Sequence, residues 1–250
     1  GDFAAARAHL DKAAARLKMR NDNPADTEAL YHLGRLERLE GKDDAAYRRF
    51  AEASWQYAWR APSLFEMACI DSKRGDRHTA IEHLQEALST NARFVAAHVL
   101  LGYFLRDTDR IRQALGISPQ DTFARYALYL LGEDEPPAFV RHRAQDVIDA
   151  ALDFMKAGLM HEAIRVLDTC AVEDPMICYY RTYCTGLPAK HASLSLCFPN
   201  RLEDIAVLNA SSADWQAQYL LGCLYYDREN YAAAEKAWEA SKAGNETFAF

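Results

Sequence analysis

Apolar side chains recur three and four residues apart along most of this chain, and alternating runs of β-branched residues are few. The pattern predicts helices almost throughout. Its polar interruptions predict that they come in pairs. The segment ALYHLGRLERLEGKDDAAYRRFAEA, from Ala29 to Ala53, reads as helix, polar turn, helix. LFEMACIDSKRGDRHTAIEHLQEA, from Leu64 to Ala87, repeats it 34 positions on: Gly34, Ala46, Phe50 and Ala53 correspond to Ala68, Ala80, Leu84 and Ala87. Leu101-Gly102 continues the register, and Gly222, Ala234, Trp238 and Ser241 keep the same internal offsets near the end. A glycine inside a helix costs about 1 kcal/mol relative to alanine, so Gly34 and Gly222 call for a packing reason. The expectation is that a small residue on the first helix faces a small one on the second (Gly34 on Ala46, Gly222 on Ala234). Leu33, Phe50 and Trp238 would fill the flanks. Gly41 and Gly75 suit left-handed helix ends, and Asp43, Asp76 and Asp227 place polar side chains in or near the turns.

Leu33-Gly34, Gly41, Ala46, Phe50 and Ala53, their counterparts Met67-Ala68, Gly75, Ala80, Leu84 and Ala87, and Leu221-Gly222, Tyr225, Ala234 and Trp238 resemble the tetratricopeptide repeat (TPR) family. The resemblance implies an all-α, right-handed α-solenoid of antiparallel helix hairpins. Regular repeats are expected at about 26–58, 60–90, 145–173 and 214–243, with a partial unit near 93–116. The stretches 107–144 and 176–212 are irregular. Within them, helices are expected at Thr108–Leu115 and Phe123–Leu131, a turn at Gly132–Pro137, and a disguised hairpin made by MICYYRTYCTG and NRLEDIAVLNAS. The opening residues match the second helix of a unit and NETFAF matches the start of another, so the chain reads as a single repeat domain from a longer array. The stretch from Leu194 to Ser241 also resembles, more faintly, the repeat segment of bacterial DUF5107-type proteins. That likeness implies a β-rich, carbohydrate-processing partner domain.

Composition narrows the chemistry. A net charge of −7 opposes non-specific nucleic-acid binding, and no run reaches the roughly 18 apolar residues of a membrane span. Six cysteines without a C-x-x-C pair read as buried thiols in a reducing, cytoplasmic setting. His78 and His83 are five apart, which does not place both on one helix face as a metal pair would require. Phosphate-binding, zinc-protease and nucleophile-elbow motifs are missing from the sequence, and the acidic pairs read as solvated turns. The expectation is a non-catalytic module with no cofactor and no metal, serving protein–protein interaction or scaffolding. The alternative is an accessory repeat region of a multidomain bacterial carbohydrate-active protein.

In a repeat array one helix of each pair lines the concave face. The register puts Tyr31, Arg35, Arg38 and Leu39 there, then Phe65, Cys69, Ser72 and Lys73, then Val99, Tyr103, Arg106 and Asp107, and lastly Tyr219, Cys223, Tyr226 and Asp227. Tyr31, Arg35, Arg38, Phe65, Lys73, Val99, Tyr103 and Arg106 form the expected partner-binding groove, basic and aromatic. Its expected ligand is an extended acidic peptide or another carboxylate-bearing protein partner. Trp55, Tyr57 and Trp59, placed at the end of a second helix, suggest a self-association surface.

Overall fold

A computed structural model describes residues 2–19, 24, 26–188, 194 and 197–245. It is an all-α array of helices, fourteen among the described residues, with no strand among them. Helix α1 (Phe3–Lys18) precedes three consecutive hairpins: α2 (Glu28–Leu39) with α3 (Asp43–Ala53), α4 (Tyr57–Lys73) with α5 (Arg77–Thr90), and α6 (Val95–Leu105) with α7 (Thr108–Ile117). A single helix, α8 (Thr122–Leu131), leads to the hairpin of α9 (Ala144–Lys156) and α10 (Met160–Leu167). Then come α11 (Pro175–Thr185), α12 (Glu203–Ala210) and the last hairpin, α13 (Trp215–Asp227) with α14 (Tyr231–Gly244). The end of the chain beyond Asn245, where a further helix is expected, lies outside the described residues.

Each of the five hairpins turns on a single left-handed residue: Gly41, Gly75, Arg106, Gly158 and Glu229, with φ from 55° to 85°. The amide that follows it donates back five residues, as in Lys42 to the Glu37 carbonyl (2.8 Å) and Asn230 to the Tyr225 carbonyl (2.9 Å), which satisfies the carbonyls at the helix end. Asp76, Asp107 and Asn230 then accept from amides in the first turn of the second helix. In four hairpins the turn residue comes seven positions after the small residue of the first helix (Gly34 to Gly41, Ala68 to Gly75, Ala151 to Gly158, Gly222 to Glu229). In the third it comes four after, from Gly102 to Arg106, so that hairpin is shorter.

The helical glycines admit large side chains, which corrects the expected small-on-small contact. A Cβ added to Gly34 would lie 2.7 Å from the Phe50 ring, and one added to Gly222 would overlap the Trp238 indole. Ala46 and Ala234 are buried beside them but are not the nearest groups. The physical reason is that an aromatic ring one helical turn further along reaches back across the seam into the space the glycine leaves. Phe50 gains complete burial there. In the shortened third hairpin Ile111 takes this place, with its side chain 2.7 Å from a Cβ built on Gly102.

The three aromatics near residue 57 also sit differently from expectation. Trp55 lies in the link after α3, while Tyr57 and Trp59 open α4, because the Gln56 side chain caps that helix by accepting from the Ala58 amide at 2.7 Å. Trp55 and Tyr57 are exposed, whereas Trp59 stacks on Tyr31 with ring centroids 4.8 Å apart.

The irregular middle bends the array back on itself. Helix α8 packs on α6, α9 and α10, and α4 packs against α9 as well as its own hairpin partner. At that seam the C-terminal turn of α9 meets the ends of α2 and α4. The Arg38 guanidinium donates to the Lys156 carbonyl at 2.7 Å, and the Ser72 hydroxyl donates to the Ala157 carbonyl at 2.7 Å. These are carbonyls that a helix end otherwise leaves to water. Gly158 sits so close that an added Cβ would be 2.6 Å from the Lys73 Cα. On the far side of α9, Arg201, just before α12, binds Asp149 at 2.7 Å and the Gln145 carbonyl at 2.9 Å. Asp204, buried in α12, accepts from the Tyr180 hydroxyl and from the Asn200 and Arg201 amides. It holds α11, the approach to α12 and α12 itself as one body.

Candidate functional site

The seam encloses a pocket of about 400 Å³. Its first wall comes from the amino-terminal half: Tyr31, Arg35, Arg38 and Leu39 of α2, Glu40 and Gly41 of the following turn, and Glu66 and Lys73 of α4. Its second wall comes from Leu152, Met155 and Lys156 of α9, Met160 of α10, Tyr183 of α11, and Glu203, Ala206 and Val207 of α12. Residues more than a hundred positions apart thus face one space.

Helix periodicity explains why these side chains point inward. Leu152, Met155 and Lys156 are three and four residues apart on one stripe of α9, as are Glu203, Ala206 and Val207 on α12. The result is an apolar lining of Leu39, Leu152, Met155, Met160 and Val207 beneath a charged rim. Most rim charges are already matched. Arg38 binds Glu66 at 2.6 Å, Lys73 binds Asp43 at 2.6 Å, and Lys156 lies 3.5 Å from Asp153. Glu40 is held by Arg7 and Lys42, and the hydrogen bond from Lys42 is the main cause of its lowered pKa. The side chains of Arg35 and Glu203 make no hydrogen bond or ion pair among the described residues.

Burial sets the proton affinities nearby. It pushes the Tyr31 phenol up to about 12, with the Glu66 carboxylate adding to the effect, so Tyr31 serves as a neutral hydrogen-bonding and stacking surface. Burial also raises Asp153 to about 6 in spite of its lysine partner. Cys69 behind the wall is wholly buried, its thiol pushed up to about 12, which makes it an inert packing group. All six cysteines are free thiols.

Of the eight residues expected to form a groove, the structure brings four into the pocket: Tyr31, Arg35, Arg38 and Lys73. Arg38 is there as a strut between α2, α4 and α9, its hydrogen bonds taken by Glu66 and the Lys156 carbonyl. The other four are elsewhere. Val99 is wholly buried, because the curled array wraps both faces of α6. Phe65 packs on Phe94 with ring centroids 5.2 Å apart. Tyr103 donates to Glu162 at 3.0 Å and packs edge-on against Phe154, so α9 and α10 occupy its side of the concave face. Arg106 is the left-handed residue of its turn and points to solvent. Of the remaining register positions, Ser72 is committed to the seam, Asp107 caps α7, and Tyr226 lies exposed against Tyr231 and Trp238.

The second wall has no counterpart in the sequence reading. Its one sequence signal is Gly158, whose small size is needed both for its φ of 74° and for the contact with Lys73. Among the described residues no group of three or more His, Cys, Asp or Glu side chains could hold a metal ion, and no helix is long and apolar enough to cross a membrane. No protein-family model matches the chain.

Proposed function

We propose that this chain is a TPR-like interaction module that holds a partner protein by a short segment seated in the pocket between α2, α4, α9 and α12. One observation carries the reading. A cleft of about 400 Å³, lined by apolar and charged side chains together, opens between two helical walls that are braced to each other through Arg38 and Ser72. That volume lies within the range of about 300–1,000 Å³ typical of ligand clefts. The 34-residue recurrence and the common turn of the hairpins support the family assignment. The role is structural, in scaffolding, without a chemical step.

The test uses the pocket itself. Peptides selected from a displayed random octapeptide library should bind the wild-type chain and lose that binding on Ala206→Arg. Ala206 is exposed on α12 and lines the pocket, so the arginine fills the cleft without entering the core. Selected peptides that bind both proteins equally would place the interaction elsewhere and reject the proposal.

A further inference from the structure

Seven charged side chains line the pocket, and five of them are neutralised by neighbours of the same chain: Arg38, Glu40, Glu66, Lys73 and Lys156. The other two, Arg35 and Glu203, make no ion pair or hydrogen bond among the described residues, although Lys156 feels the Glu203 charge; they stand one on each wall and carry opposite signs. Leu39, Leu152, Met155 and Val207 line the same pocket. We propose that the pocket selects a segment in which apolar residues stand between an acidic residue and a basic one, the acid meeting Arg35 and the base meeting Glu203. This rests on the reading of the pocket as a partner site and adds its specificity.

The physical argument is one of complementarity. An apolar lining fixes where a ligand sits but discriminates weakly among apolar side chains. Charges left unmatched at a rim determine which partners are steered in and which are repelled, and like charges brought together there cost more than a lost pair. Because the Arg35 guanidinium can take a carboxylate with two parallel hydrogen bonds, it also fixes direction along the cleft. Glu203 lies in the first turn of α12, on the wall opposite Arg35. A wholly acidic ligand would meet Glu203, and a wholly basic one would meet Arg35. The net charge of −7 is thus a poor guide to this site, whose two open charges cancel.

Library selection on three proteins tests the inference: wild type, Arg35→Glu and Glu203→Lys. Both substitutions are at rim positions, and matching thermal melts establish that the variants fold. On wild type, peptides that compete for the pocket should carry an acid on one flank of their apolar residues and a base on the other. Selection on Arg35→Glu should replace the acid by a base, and selection on Glu203→Lys should replace the base by an acid. A peptide chosen on wild type should bind either variant about tenfold more weakly at low salt, with the difference shrinking as salt rises. Apolar peptides with no charge preference at their flanks, or the same preference in all three selections, would overturn the inference while leaving the pocket reading intact. Peptides indifferent to Ala206→Arg would reject both.

Discussion

Single residues in this molecule carry strain or charge that can be read directly. Glu229 occupies the left-handed turn position that Gly41, Gly75 and Gly158 hold in other hairpins. An L-residue there costs about 1–2 kcal/mol, part of which a glycine gives back through the greater freedom of its unfolded chain. Because Glu229 is exposed and its carboxylate makes no hydrogen bond or ion pair among the described residues, Glu229→Gly should stabilise the protein by up to about 1 kcal/mol, measured by urea unfolding. Asp153 is charged at a cost. Burial lifts its folded pKa to about 6 from an ordinary 3.8, so folding favours its protonated form. Its contribution is best below pH 4, worsens as pH rises from about 4 to 6, and is constant above that. This is the reverse of a salt-bridged carboxylate whose pKa is lowered. Asp153→Asn should therefore raise the unfolding midpoint at pH 7.5 and leave it nearly unchanged at pH 4. An equal effect at both values would show that the carboxylate is not perturbed in the fold.

At the scale of the element, a hairpin is defined by a missing side chain on one helix and a ring on the other. Gly34→Ala should cost about 1–3 kcal/mol, because Phe50 is wholly buried and its ring has to shift. Phe50→Leu alone should also destabilise, through the cavity it leaves. Combined, the two changes should cost clearly less than their sum, since each relieves the other, and a double-mutant cycle measures that coupling. Strict additivity would mean that the ring and the glycine are independent. The hairpins are legible in the sequence because the forces behind them are local. The Gly34–Phe50 offset, the turn at Gly41 and the apolar stripes all lie within one stretch of about 30 residues. Which group fills the glycine notch is less legible. Offsets along a helix do not say whether Ala46 or the longer Phe50 reaches across. The early start of the second helix in the third hairpin, at Thr108, is legible in the sequence, but its turn residue is not, since Arg106 takes a conformation that composition assigns to glycine.

Across the whole molecule, the decisive contacts join residues whose partnership no periodicity reveals. Arg38 and Lys156 are 118 positions apart, and Ser72 and Ala157 are 85 apart. Repeat register gives the face of each helix but not the path of the irregular middle that carries α9 back onto α2 and α4. Half of the expected groove residues therefore reach the pocket, and the entire second wall does not appear in the sequence reading. Ser72→Ala combined with Arg38→Met should loosen this seam. Protease cleavage near residues 156–160 should accelerate, while far-UV circular dichroism stays the same because the hairpins persist. Unchanged cleavage rates would show that packing alone holds the two halves together.

The seam also constrains how this molecule can change length over evolutionary time. An open stack of repeats accepts the gain or loss of a whole unit anywhere, since each unit answers only to its neighbours. Here the backbone between Lys73 and Gly158 forms a bracket whose two ends must meet at the distance of touching atoms. Duplicating or deleting a hairpin inside that bracket would carry Gly158 away from Lys73. The same change made before α1 or after α14 would leave the bracket whole. Growth of the array is thus directed to its ends, and the part between residues 73 and 158 behaves as a unit of fixed size.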